Sequence, residues 1–133
     1  MASVFTAIMN KDLPGHFVWE DERCVAILTI QPIRTGHLLV IPREEVDQWS
    51  DLPVELAAHL MAVSHRLANA MKKIFPVKRI GLMIAGLEVP HTHIHLVPMD
   101  SMDDLDFANI KNAESEALAK TAAAIREVLN SDS

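Results

Sequence analysis

Pro90-His91-Thr92-His93-Ile94-His95-Leu96-Val97-Pro98 is the stretch that decides how this chain reads. Side chains of an extended segment alternate with period two, so His91, His93 and His95 project from one face and Thr92, Ile94 and Leu96 from the other. The strand rise sets neighbouring imidazoles ~6.5–7 Å apart at the backbone. The apolar face belongs against a core. The histidine face does not, because each ring brings nitrogens that need partners. The chain has seven histidines, and three of them fall within five residues. Three chemistries fit such a face. One is a surface strand of hydrated rings. The second is a metal centre, in which two histidines two apart share a zinc ion and His37 or Glu88 adds a ligand. The third is phosphoryl chemistry: a neutral imidazole attacks phosphorus while its neighbours donate hydrogen bonds to the transferred group.

Outward from this stretch, the chain alternates short strands with two long helical patterns. Arg79 to Ala85 precedes it as a strand. Before that, Leu56, Leu60, Val63, Leu67, Met71 and Ile74 recur at steps of three and four, one stripe of a helix. Ser50 and Asp51 offer caps for it, Pro53 and Glu55 suit its first turn, and Phe75-Pro76 stops it. Further upstream, His16 to Trp19, Cys24 to Gln31 and His37 to Ile41 read as strands separated by turn chemistry at Asp21-Glu22 and Pro32 to Gly36. The short connections predict a meander, since parallel neighbours need long crossovers. Ser3 to Asn10 reads as a helical turn. After the histidines come an acidic loop, Asp100 to Asp106, and a C-terminal helical extension over about residues 107–130, with Leu118, Ala122, Ile125 and Leu129 as its inner stripe. The expected fold is α+β: about five mostly antiparallel strands with helices packed on them, one domain over residues 1–133.

Composition narrows the function. At 133 residues and 50% hydrophobic, the chain can bury one core without metals or cross-links. The formal net charge is −6 and no basic cluster is long enough to track a polyanion, so nucleic acid is not an expected partner. A small phosphate ligand needs only a few local donors. Cys24 is the one cysteine and sits in an apolar run, as a buried structural thiol does. Met1-Ala2-Ser3-Val4 lacks the layout of a secretory signal, and the longest apolar stretch, Ile80 to Leu87, is too short for a membrane span. A cytoplasmic location, off the membrane, is therefore expected.

The segment His91-Thr92-His93-Ile94-His95-Leu96-Val97 resembles the signature of the histidine-triad family, with Thr92 where an apolar residue is usual. The likeness runs over about residues 3–100. Val4-Phe5-Thr6, Pro14 and Trp19-Glu20-Asp21-Glu22 resemble the opening helix and strand of that family. Pro32, Gly36-His37 and Leu39-Val40-Ile41-Pro42 resemble its second hallmark, a strand with a fourth active-site histidine, and Gly86 stands where the family has a glycine. The resemblance implies that His93 is a nucleophile attacking the α-phosphate of a nucleoside phosphoramidate, ester or dinucleoside polyphosphate. A covalent nucleotidyl-histidine would form and be hydrolysed by water. The carbonyl of His91 would hold the other nitrogen of His93, and His95 and His37 would contact phosphate oxygens. A homodimer is expected on the same ground.

The resemblance also assigns a substrate shell. The ribose-binding acidic position falls near Thr29. Ile27, Leu28 and Ile30 build core, with some, Ile27 foremost, lining a base pocket. Trp19 and Phe17 are further candidates for that pocket. Gly86 and Glu88 flank the substrate, with Glu88 where a small polar residue is common. Many members carry a cysteine at the position of Thr6, sometimes as a zinc ligand. With none here, no structural metal and no cofactor is expected, beyond Mg²⁺ carried by a polyphosphate substrate. The catalytic histidines thus match while the recognition shell departs. The alternatives are a nucleotide-binding regulatory module with little turnover and a metal-dependent hydrolase.

Overall fold

A computed structural model describes residues 2–131. Its elements in chain order are α1 (Val4–Met9), β1 (His16–Glu20), β2 (Cys24–Leu28), β3 (Leu38–Pro42), α2 (Val54–Ile74), β4 (Arg79–Ile84), β5 (Ile94–Met99) and α3 (Ser115–Ser131). The five strands form one sheet in the order β1-β2-β3-β5-β4, with every neighbouring pair antiparallel. The expected meander is β1-β2-β3. Helix α2 then carries the chain across, so that β5 returns between β3 and the edge strand β4.

Helices α2 and α3 cover one face of the sheet. Leu56, Leu60, Val63, Leu67 and Met71 of α2 are buried there, as are Leu118, Ala122, Ile125 and Leu129 of α3. They meet Ala26, Leu28, Leu38, Val40, Ile94 and Leu96 from the strands. Each fully buried aliphatic side chain stabilises the fold by roughly 1.5–3 kcal/mol. On the opposite face a smaller core of Phe5, Met9, Val25, Ile27, Leu39 and Ile41 is closed by α1. The central strands β2, β3 and β5 are therefore buried on both faces. Among the described residues no helix is long and apolar enough to cross a membrane.

Several boundaries and faces differ from the sequence reading, each for a local reason. Strand β2 ends at Leu28 rather than Gln31, because beyond Thr29 the chain turns and the Gln31 N–H bonds the Thr29 hydroxyl. Ile30, expected in the core, lies in that turn and is 67% exposed. A bulge at Val18 lets Trp19 pair with Ala26 and shifts the alternation of β1, so Trp19 packs on the helical side, away from Phe17. Helix α2 begins with Pro53 at its N-cap, without a side-chain cap, while Ser50 and Asp51 belong to a separate 3-10 turn. Helix α3 begins at Ser115, not near 107. The segment before it is held extended by Lys111 N–H to the Pro32 carbonyl and Ala113 N–H to the Ile30 carbonyl, bonds a helix would forfeit.

Gly36 links this fold to the site. Its φ is +97°, and a Cβ there would come within 2.5 Å of the Phe75 ring at the end of α2. Only glycine allows both the turn and the close approach. The turn closes with His37 N–H to the Arg34 carbonyl and delivers His37 to the head of β3.

Candidate functional site

The histidines gather where β3 meets β5. Leu39 pairs with His95 across these strands, so His37, two residues before Leu39, reaches the same side. His95 lies on β5, but β5 starts only at Ile94, so His91 and His93 precede the strand instead of lying in it. That segment is pinned by the N–H and hydroxyl of Thr92, both bonding the Val46 carbonyl at 2.7 Å. The alternation nonetheless holds: Ile94 and Leu96 enter the helical core while the rings of His93 and His95 sit side by side, 5.0 Å between centroids. Phe5 of α1 meets the rings of His91 and His93 edge-on.

Hydrogen-bond partners decide which nitrogen of each ring carries the proton. His91 Nε2 lies 2.7 Å from the Pro42 carbonyl, which can only accept, so Nε2 donates. Its Nδ1 then accepts from the Ser3 hydroxyl at 2.6 Å. His93 Nδ1 lies 2.8 Å from the His91 carbonyl and donates to it, which leaves a lone pair on Nε2. His37 Nδ1 accepts the Ile33 N–H at 3.1 Å, so its Nε2 donates to His95 Nδ1 at 2.9 Å. His95 therefore carries its proton on Nε2. Two ring atoms remain uncommitted: a lone pair on His93 and an N–H on His95.

The environment favours the neutral forms of His37, His91 and His95. Burial pushes His37 down to about 4. Burial, with the nearby rings of His37 and His93, pushes His95 down to about 3. His91 is lowered chiefly by burial, although the Pro42 carbonyl and Glu45 favour its charged form. A neutral imidazole with a free lone pair beside a neutral donor can attack an electrophile and hold the displaced charge.

A second set of contacts supports His91. Ser3 caps α1 by accepting the Thr6 N–H, and the same hydroxyl meets His91. Glu45 receives the Ser3 N–H and, at 2.6 Å, the Thr6 hydroxyl. Those bonds to Glu45 hold its carboxyl below the usual range. The place where a relative could use a cysteine is thus filled by a hydroxyl–carboxylate pair.

Two compartments open on the histidines. The larger, about 210 Å³, is lined by Phe5, Thr29, Gln31, His37, Leu39, Glu88, Val89, His93, His95, Phe107 and Ile110. The smaller, about 130 Å³, is lined by Ala85, Gly86, Leu87, Glu88, His93, His95 and Phe107. The structure places Thr29, Gly86 and Glu88 on the walls of the cleft. It does not so place His91, whose ring is buried with both nitrogens bonded; His91 acts here through its carbonyl. His37 was expected to touch phosphate, but its nitrogens are taken by Ile33 and His95, so it orients His95. Ile27 stays in the small core as Leu39's cross-strand partner. Trp19 faces the other side, and Phe17 packs at the small core's edge beneath Lys11. Sequence reading missed Gln31, Val89, Phe107 and Ile110. The only available signal was two large apolar residues in an otherwise polar, acidic stretch.

Of the four rings, only His93 keeps a lone pair that no hydrogen bond among the described residues engages. Among the described residues, Asp21, Cys24 and His59 do have ligand atoms within 4.8 Å of one another. This cluster lies on the helical side and is a hydrogen-bonded turn. Burial opposes ionisation of Asp21, but bonds from Trp19, Arg23, His59 and Cys24 outweigh it and hold the carboxyl well below its usual range. Burial, then the charge of Asp21, pushes the Cys24 thiol up to about 12.

The chain belongs to the histidine-triad (HIT) family: the HIT domain model matches residues 10–102. An uncharacterized HIT-like protein of Borreliella burgdorferi is 34% identical over 85% of this chain and 88% of its own length. An adenosine 5′-monophosphoramidase of Saccharomyces cerevisiae is 32% identical over 90% of this chain and 82% of its own. A zinc-bound histidine triad family protein from Mycobacterium smegmatis superposes with a TM-score of 0.83 at 30% identity, covering 98% of this chain and 95% of that one.

Neutral buried histidines make stability depend on pH. His37 and His95 titrate near 4 and 3 when folded, against about 6.5 when unfolded. The unfolded chain binds more protons in that interval, so stability is full above about 6.5 and falls as the pH drops toward the folded values. The urea midpoint should change little from pH 8 to 7 and decline toward pH 5, with about two protons taken up per molecule unfolded near pH 5. A midpoint constant from pH 7 to 5 contradicts the neutral, buried state of these rings.

Proposed function

We propose that this chain is a nucleotide hydrolase or nucleotidyl transferase that forms a covalent nucleotidyl-histidine on His93. The observation that carries this reading is the free lone pair on His93 Nε2 beside the N–H of His95. In the first step His93 Nε2 bonds to the α-phosphorus, and the bond from phosphorus to the leaving group breaks. The leaving group keeps the electron pair and takes a proton from solvent at the cleft mouth. His93 Nδ1 keeps its proton and donates it to the His91 carbonyl, which favours the imidazolium-like charge that develops on attack. His95 Nε2 donates to a phosphoryl oxygen and remains neutral. Water then attacks phosphorus, the bond to His93 breaks, and a proton returns to solvent. The net reaction divides one water between nucleotide and leaving group. The similarity to an adenosine 5′-monophosphoramidase supports a P–N bond as the one broken.

Replacing His93 with Ala should lower phosphoramidate turnover by several orders of magnitude, because it removes the covalent route. Nucleoside monophosphate affinity should stay within about tenfold, since the donor on His95 remains. Steady-state kinetics and calorimetry check the two halves. A variant retaining a tenth of the parent rate refutes the nucleophile, and a parent that binds nucleotide without turnover is a binding module.

We also propose that attack needs no bound metal, on the count of ring lone pairs given above. Exhaustive chelation should leave phosphoramidate hydrolysis unchanged; loss of rate restored by Zn²⁺ would establish a metal-dependent hydrolase instead.

A homodimer is proposed as the working form. The edge strand β4 exposes Leu82, and Trp49 and Met61 beside it are about half exposed, an apolar rim next to unpaired backbone. Light scattering should give twice the mass of one chain, and a monomer at micromolar concentration excludes it.

A further inference from the structure

We propose that the smaller compartment receives the leaving group, and that Glu88 and Phe107 select there an amine of side-chain size carrying a positive charge. This assignment rests on the nucleotidyl-histidine reading. The two compartments share Glu88, His93, His95 and Phe107, so the reacting phosphorus sits at their junction. Displacement at phosphorus places nucleophile and leaving group roughly in line, so nucleoside and leaving group diverge from that point. The larger compartment offers the uncharged hydrogen-bonding side chains that a ribose and a base call for, Thr29 and Gln31. The smaller one offers no such pair. Its own walls are Ala85, Gly86 and Leu87, with the Phe107 ring edge-on to His95 at 5.0 Å.

Size and charge define what enters. The smaller compartment, about 130 Å³, is close to the roughly 150 Å³ of an engineered cavity that holds one benzene. A butyl chain or a single ring fits within it. No lysine or arginine stands among the described residues that line either compartment, and Glu88 is the one carboxylate at the junction. A polyphosphate leaving group would bring several anions past that carboxylate with no cation to meet them. An amine with a second, protonated nitrogen reverses the sign, meeting Glu88 with its charge and Leu87 and Phe107 with its methylenes. Gly86, with φ of +83°, supplies the backbone turn that sets Leu87 and Glu88 on this rim. The bond that breaks is P–N; the amine departs with the electron pair and gains a solvent proton, as in the general scheme.

The test compares kcat/KM for three adenosine 5′-phosphoramidates and diadenosine triphosphate. The amides carry unsubstituted nitrogen, n-butylamine, or 1,4-diaminobutane with its free end protonated. The parent should prefer the diaminobutane amide over the butyl amide by about fivefold, the scale of one exposed charge pair, and should turn over the triphosphate least. Glu88→Gln should abolish that preference, bringing the ratio of kcat/KM for the two alkyl amides to about one. Phe107→Ala should lower both alkyl amides by about tenfold relative to the unsubstituted one, by loss of one apolar contact face. If the parent hydrolyses the amides but Glu88→Gln keeps the preference, or slows all three equally, the assignment is wrong while the proposed function stands. If the parent hydrolyses none of the four substrates, the proposed function falls and takes the assignment with it.

Discussion

An imidazole has two nitrogens and, when neutral, one proton, so fixing a partner on one nitrogen fixes the state of the other. Every ring in this site is governed by that constraint. The Pro42 carbonyl forces a proton onto His91 Nε2, and the His91 carbonyl forces one onto His93 Nδ1. The Ile33 N–H denies a proton to His37 Nδ1, and His37 in turn denies one to His95 Nδ1. Three of these four partners are main-chain groups. The reactive lone pair and the donor beside it are therefore set by the path of the backbone, and a backbone path is what a fold can hold rigidly.

The sheet order follows from the same need. Bringing His37 to His95 requires β3 next to β5, which is why α2 must cross over before β4 rather than let β4 continue the meander. Bringing the His91 carbonyl under His93 requires the chain to arrive at β5 in a pinned, non-strand segment. Thr92 supplies the pins, and Ser3, Thr6 and Glu45 anchor the His91 ring from α1 and the segment after β3. Four buried imidazoles would cost a fold heavily if unpaired, on the order of 1–3 kcal/mol for each orphaned polar group. Here six of the eight ring nitrogens have a partner and the other two, on His93 and His95, face the cleft, while the large helical core carries the stability on the other face of the sheet.

Much of this was legible from side-chain pattern alone, and what was not legible has a physical reason. The α2 and α3 stripes depend on apolar spacing, so Leu56 to Met71 and Leu118 to Leu129 could be read directly. The sharing of one face by His91, His93 and His95 depends on period two, which survives even though β5 starts late. Trp19 was misplaced because one bulged residue, Val18, inverts the alternation without any mark in composition. Ile30 was misplaced because a side-chain bond from Thr29 ends β2 two residues before its apolar run does. Phe107 and Ile110 were missed because their position depends on main-chain pairing with residues 30 and 32, far away in sequence. The roles of His37 and His91 turned on which main-chain group faces which nitrogen, and no residue pattern encodes that.

The choice of neutral main-chain acceptors also bears on reactivity. A carboxylate bonded directly to an imidazole stabilises its protonated form and raises its pKa, which would fill the lone pair that the proposed reaction uses. In this site no carboxylate among the described residues is bonded to any of the four rings: Glu45 takes the Ser3 N–H and the Thr6 hydroxyl, and it is the Ser3 hydroxyl that meets His91. The bonds to Ser3 and Thr6 make Glu45 an anchor for α1, while burial dominates the state of His91. On the other side, His95 meets another neutral ring instead of an acid, so its Nε2 proton is held as a hydrogen-bond donor and is not given up. The arrangement thus separates orientation from charge: carbonyls and one N–H aim the rings, burial favours the neutral forms of His37, His91 and His95, and in the proposed reaction positive charge develops on His93 as its bond to phosphorus forms.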